Sequence, residues 1–237
     1  MKDWPVLLGL PLWFWLFVAP VVLAALLFFS RRGLSPVLPR AWAVLDRIYF
    51  VSGVLAAVCM VGILLIIVVQ MIARWTGFTF EGSTEFAGYA MAATSFFALA
   101  HALGRGAHIR VSIFLNINNF TKLWLDGFAL LVAAITATYF ARFAVKTNFI
   151  SEMLNDRTQG QDQIPEFFVT LLSLPVTSPA DWPELLSRNG GEWIYTPVWV
   201  PQIAMSIGTI LLALCLWDHF IRLIVTGHSA IKKEKVE

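Results

Sequence analysis

Five apolar stretches, each long enough for a helix to cross about 30 Å of hydrocarbon at about 1.5 Å per residue, leave this chain one kind of architecture. They run from Trp4 to Phe29, Tyr49 to Gln70, Glu85 to Leu103, Trp124 to Ile150 and Val198 to Trp217. Backbone groups in lipid must bond within their own segment, so helices are the form expected for all five. Composition agrees, with 58% of residues hydrophobic and 14% charged, against about 25% charged in a soluble domain. The expected fold is an all-α integral membrane protein with five transmembrane helices.

The first stretch follows Lys2 and precedes a polar segment, as the apolar core of a signal peptide does. A cleavable core is about 7–15 residues long and ends in small residues. This one is much longer and ends in Ser30-Arg31-Arg32, so it is read as a retained span over residues 1–30.

Basic residues resist translocation and collect on the cytoplasmic side. Arg31, Arg32, Arg40 and Arg47 lie between the first two spans, and Arg105, Arg110 and Lys122 follow the third. Arg222, Lys232, Lys233 and Lys235 occupy the tail. The opposite faces hold only Lys2, Arg74, Arg157 and Arg188, while Arg142 and Lys146 fall within the fourth span. The alternation places the N-terminus outside and the C-terminus on the cytoplasmic side of the membrane. It divides the chain into a cytoplasmic linker at 31–48, three spans over 49–150, an outer loop at 151–197, and a last span with basic tail at 198–237. The tail reads as a topology signal and not as a nucleic-acid site.

The long loop is acidic, with Glu152, Asp156, Asp162, Glu166, Asp181, Glu184 and Glu192 against Arg157 and Arg188. Its apolar run Ile164 to Leu174 is too short to cross, and is expected to lie at the interface or re-enter partway. Ser178-Pro179-Ala180-Asp181 reads as a helix start and Asn189-Gly190-Gly191 as a stop. Two readings stay open: a cover packed on the helix ends, or a docking face for an external protein. After the third span, Ile109 to Trp124 fits both strand and helix periods. A lone strand at a membrane surface leaves backbone groups unpaired, so an interfacial helix is expected over about 108–123.

Charge gathers at the helix ends. Glu85 opens the third span, where the helix dipole favours a carboxylate, and Arg74 at the end of the preceding span is its expected partner, with Glu81 competing. Arg105, His108 and Arg110 follow the same span at its other end. Together these five are read as orientation and docking residues. Asp218 and Arg222 are spaced i, i+4 with the acid first, a favourable helical pair.

Small residues mark helix contacts where lipid supplies no hydrophobic drive. Ala129, Ala133, Ala137 and Ala141 recur every fourth residue, and Gly88, Ala92, Ala100 and Gly104 form a stripe with Phe96 between. Gly53 and Ala57 make a shorter one. These hold the subunit together or contact a second membrane protein.

No zinc spacing, phosphate loop or nucleophile elbow occurs, and Cys59 and Cys215 both fall within spans as apolar packing residues. No cofactor or metal is expected in the main reading, which is not that of an enzyme. The alternative is a membrane-anchored haem subunit of an electron-transfer complex, with His101 and His219 ligating from two helices.

Arg74, then Phe80-Glu81-Gly82-Ser83-Thr84-Glu85, a span of small and aromatic residues, and Arg105-Gly106-Ala107-His108-Ile109-Arg110-Val111 resemble the signature of the small membrane subunit of tripartite ATP-independent periplasmic (TRAP) transporters, the DctQ-like family. The resemblance covers about residues 45–150. Ser112 stands where the family usually has an acid, and Phe80 where it often has Trp. It implies a four-helix core to which Trp4–Phe29 is added, and two protein partners besides membrane lipids: a large membrane subunit carrying the substrate and sodium sites, and a periplasmic substrate-binding protein. The small subunit would brace the large one during symport of an organic acid, a dicarboxylate or keto acid, and bind no substrate itself.

Overall fold

The computed structural model describes residues 4–29, 38–105, 119–174, 177–187 and 192–227. A short antiparallel pair, β1 (Val6–Leu7) and β2 (Leu10–Pro11), is followed by a π-helical stretch at Phe14–Val18 and by α1 (Ala19–Phe29). Then come α2 (Leu38–Thr76), α3 (Ser83–Arg105), α4 (Asn119–Met153), β3 (Gln163–Pro165), α5 (Glu166–Ser173), a 3-10 turn at Pro179–Asp181, α6 (Trp182–Ser187), β4 (Trp193–Tyr195) and α7 (Trp199–Thr226). Among the described residues four helices are long and apolar enough to cross a membrane: α2, α3, α4 from Trp124, and α7.

The chain's own residues set these bounds. Pro39 sits in the first turn of α2, where its missing N–H costs nothing. Gly77 ends α2 at φ +79°, and the N–H of Phe78 turns back to the carbonyl of Ala73 at 2.9 Å, a glycine-terminated cap. Gly227 closes α7 likewise at φ +73°, its N–H donating to Leu223. Past α4 the left-handed position falls to Asn155 at φ +52°, one of the few side chains that tolerate it.

The expected single helix from Trp4 to Phe29 is corrected. Leu8 and Gly9 both take positive φ and close a two-residue hairpin between β1 and β2, as a type I′ turn requires. Pro5 and Pro11 flank it and cannot continue a helix. Pro20 lacks the N–H that α-helical register would direct to Leu16, and just before it Ala19 bonds instead to Phe14, five residues back. The helical run Phe14–Phe29 covers about 24 Å, short of a full span. The segment at 31–48 is helical from Leu38 onward, as the start of α2. Residues 119–123 of the expected interfacial helix belong to α4, and 108–118 lie outside the described residues.

Contacts divide the chain into two units: Met1–Ala56 with Phe96–Phe143 and Ile207–Glu237, and Ala57–Ser95 with Ala144–Ser206. The first has a core of small and aromatic side chains, in which Ala100, Ala134 and Cys215 are fully enclosed beside Leu130, Trp217 and Phe220. The Trp217 indole donates to Thr138 Oγ1 at 3.0 Å, and the Cys215 thiol to the Ala100 carbonyl at 3.5 Å. Both cysteines are free. Gly53 lies against the His101 ring and Gly208 against the Phe96 backbone, so close that a Cβ on either would overlap its neighbour.

The α4 stripe is rotated from the expected one. Ala137 and Ala141 are buried, but Ala133 is half-buried and Ala129 exposed; the buried line is Leu130, Ala134, Ala137, Thr138, Ala141 and Ala144. A four-residue repeat drifts about 40° per step on a 3.6-residue helix, so a strict i+4 alanine row leaves the contact face within three steps. On α3 the row fares similarly: Ala100 is enclosed, Gly104 half-buried, and Gly88 and Ala92 exposed.

In the second unit, residues between α4 and α7 fold back on themselves. Arg157 bridges to Pro197, Thr158 N–H donates to Thr196, and the strands β3 and β4 pair with Ile164 opposite Ile194. The apolar run expected at Ile164–Leu174 forms the eight-residue α5, and Ser178 stands at the start of the 3-10 turn leading into α6.

Candidate functional site

Two polar clusters, one in each unit, hold most of the inward-facing charge described. In the first, Arg222 on α7 forms a fork with Asp218 one turn earlier, Nε to Oδ1 at 3.0 Å and Nη2 to Oδ2 at 2.8 Å. The same guanidinium reaches Asp46 on α2 at 2.8 Å and lies over the Trp42 ring. Tyr49 hydroxyl donates to Asp218 Oδ2 at 3.5 Å. The Asp218 side chain is 5% exposed and that of Asp46 58%, so one carboxylate is buried and the other meets the surroundings. Planar bidentate pairing suits Arg and fixes geometry; Nε, Nη1 and Nη2 all bond within the chain, which makes the cluster a clasp between α2 and α7.

Beside it is a cavity of about 260 Å³ whose walls include His101, Gly104, Arg105 and His219. His219 is buried, and its Nδ1 lies 2.8 Å from the Cys215 carbonyl, which accepts only, so Nδ1 carries a proton. The two imidazoles named for the haem alternative thus share one cavity, with charged Arg105, Asp46 and Arg222 in the same wall. Among the described residues no group of three or more His, Cys, Asp or Glu side chains is placed to hold a metal ion.

The second cluster centres on Asp162, which has no exposed surface. Its carboxylate accepts from the Tyr89 hydroxyl and from Thr158 Oγ1 at 2.9 Å, and its own carbonyl accepts from Thr196 through N–H and hydroxyl. Burial pushes the Asp162 carboxyl up, but the hydrogen bonds from Tyr89, Thr158 and Thr196 outweigh it and hold the group below the usual aspartate range. Two glycines make room. A Cβ on Gly82, itself at φ +74°, would sit 2.9 Å from the Asp162 Cα, and one on Gly160 would sit 2.8 Å from Glu85 Oε1.

Glu85 meets this loop and not Arg74. Its Oε1 accepts the Gln161 N–H at 3.3 Å, and among the described residues no ion pair joins it to Arg74. Arg74 is exposed and lines a cavity of about 400 Å³ with Gln70, Phe78, Glu81 and Gln161. Arg105 is exposed at the end of α3, and His108 and Arg110 lie outside the described residues. Sequence reasoning overlooked Asp46, Tyr49, Tyr89 and Thr158 and counted Asp162 only as loop charge. The available signal was the run Thr158-Gln-Gly-Gln-Asp162, a hydroxyl and an acid four apart around a glycine.

Residues 63–178, from the middle of α2 through α5, match the family model described as tripartite ATP-independent periplasmic transporters, DctQ component. Over this stretch the chain is similar to that family. Neither the curated proteins nor the solved structures yielded a match. A DctQ chain is a multi-pass membrane component of a transporter, and the four long apolar helices agree with that. At the level of the family, DctQ chains are non-enzymatic and work with a large membrane subunit and a substrate-binding protein. The match gives the electron-transfer alternative no support.

Proposed function

We propose that this chain is the non-catalytic small membrane subunit of a TRAP-type secondary transporter, bracing the large transport subunit during sodium-coupled uptake of an organic acid such as a dicarboxylate or keto acid. The observation that carries the reading is α2. Of its 39 residues only Tyr49, Ser52 and Ala56 are buried, and the successive residues Ile67, Val68 and Val69, about 100° apart around the axis, are all exposed. A helix apolar all round is built to be surrounded by lipid or other helices, which a brace between a bilayer and a larger membrane protein requires. Asp46, Asp218 and Arg222 are tied to each other and the Asp162 carboxylate is held by hydroxyls, unlike the intramembrane carboxylates of an ion path.

The basic residues support the start of α2 and the end of α7 in the cytoplasm and the acidic loop in the periplasm. The N-terminus goes to the periplasm in this reading, because Trp4 lies on Arg142 and Phe17 on Tyr139, well along α4 from its cytoplasmic start. Arg74, Glu85 and Arg105, with His108 and Arg110, then serve at the two membrane surfaces as orientation and docking residues.

Reconstitution tests this. Alone in sealed vesicles, the chain moves neither ion nor solute. With the large subunit and binding protein, a sodium gradient drives carboxylate uptake that falls when this chain is omitted. Transport by the chain alone overturns the reading.

A further inference from the structure

Helix α5 is inside out for a helix in water. At about 100° per residue, Phe167, Leu171, Phe168 and Leu172 share an arc of about 140°, and these are its exposed positions, at 47, 48, 54 and 44%. Glu166, Val169, Thr170 and Ser173 lie on the other side, half-buried. The Thr170 and Ser173 hydroxyls bond back to carbonyls of the same helix. A water-facing helix puts its polar residues outward; this one turns them away and presents four large apolar side chains.

The loop also fixes where the arc lies. The Asp162 Cα is packed on Gly82, the residue before α3 begins, so the loop backbone is pinned at the level where a spanning helix starts. Glu166 follows four residues later, at most about 13 Å of chain away. Its N–H bonds to the carbonyl of Glu192, next to β4, and β4 runs on within a few residues into α7. On the strand pair, Ile164 and Ile194 share one face, while Trp193 and Tyr195 are exposed on the other, the amphipathic aromatics that settle at a bilayer interface.

We propose that α5 lies in the membrane interface, its Phe167, Phe168, Leu171 and Leu172 arc seated in the lipid of the leaflet where α3 begins. The occupant is a lipid surface and not a soluble protein: the arc holds no charged or hydrogen-bonding side chain, whereas protein docking faces carry a polar rim around their apolar centre. The sequence has no Lys or Arg between Arg157 and Arg188, so the attachment is apolar and does not depend on anionic lipid. This goes beyond the bracing role and does not depend on it.

Nitroxide labels test the arc in the full chain, with Cys59→Ala removing the accessible thiol and the fully enclosed Cys215 left in place. Phe167→Cys, Phe168→Cys, Leu171→Cys and Leu172→Cys are labelled one at a time, in nanodiscs of phosphatidylethanolamine and phosphatidylglycerol. Collision with oxygen, which concentrates in lipid, is expected to exceed collision with a water-soluble nickel chelate severalfold at all four positions, unchanged when phosphatidylcholine replaces the anionic lipid. Reading four positions separately keeps one disturbed variant from deciding the result. Labels that favour the nickel chelate overturn the proposal. So do labels shielded from both reagents, which would mean a protein cover, and labels water-exposed until a periplasmic binding protein is added.

Discussion

Gly208 of α7 stands against the carbonyl of Phe96 in α3, so near that a Cβ there would lie 2.6 Å from that oxygen. Backbone cannot swing aside as a long side chain can, so Gly208→Ala must push the helices apart or break the contact. The expected loss is about 1–3 kcal/mol, the cost of overpacking. Gly88, with nothing within 4 Å of its added Cβ, is the control: Gly88→Ala in the same protein is neutral or stabilising by up to about 1 kcal/mol through helix propensity. Thermal unfolding in detergent separates the two, and equal effects would contradict the assignment of Gly208 as the close contact.

The Arg222 clasp predicts an unequal response at its two acids. Arg222→Ala leaves the buried Asp218 carboxylate without its cation and is expected to cost about 3–5 kcal/mol. Asp46→Asn, at a side chain 58% exposed, removes a solvent-screened contact worth about 1 kcal/mol or less. Arg222→Lys restores charge but not the fork, so unfolding should place it between Arg222→Ala and the parent.

Asp162 is the titratable anchor of the loop. Its folded carboxyl is held below the usual aspartate value, about 3.9, so the fold binds the charged form more tightly than the unfolded chain does. That stability is fully present above the ordinary value and is lost as pH falls through the lower folded one. Comparing melting temperatures of the parent and Asp162→Asn isolates the group: the gap should be constant from about pH 8 to 5 and close below about pH 4. A gap that widens on acidification would reverse the sign of the argument.

Glu85 fastens the Gly160-Gln161 turn to the start of α3, so Glu85→Ala should loosen the loop without touching solute. The expected outcome is a lower yield of complex or lower uptake, with the order of preference among solutes unchanged. Competition assays read that directly, and an altered preference would give Glu85 a role in recognition.

What could be read from the residues was whatever lies within one helix turn or one apolar run. Asp218 and Arg222 are an i, i+4 pair and stand as one. Asp46, 176 residues from Arg222, joins them only through packing, and no local pattern marks it. Tyr89 and Asp162, 73 residues apart, are a similar case, and so is Glu85, which sequence proximity points to Arg74 and which instead accepts from Gln161, 76 residues on. The four long helices were legible because length and apolarity suffice to define them. In the first stretch Pro5, Gly9, Pro11 and Pro20 interrupt the run, and apolarity alone does not register them.

That first stretch yields the last prediction. Arg142 holds its guanidinium carbon 3.3 Å from the centre of the Trp4 ring, and Phe17 packs on Tyr139 one turn earlier at 4.7 Å. An arginine within a span is costly unless its charge is met, and an aromatic face away from water supplies about 2 kcal/mol of that. Trp4→Ala should therefore destabilise by about that amount, Trp4→Phe by less, and Trp4→Ala should cost little once Arg142 is also replaced by Leu. The double-mutant cycle measures the coupling itself. If the N-terminal segment is a cover for Arg142 and not a contact for the large subunit, removing residues 1–30 lowers the melting temperature of the chain while the large subunit still co-purifies. Loss of the large subunit with an unchanged melting temperature would assign the segment to that interface instead.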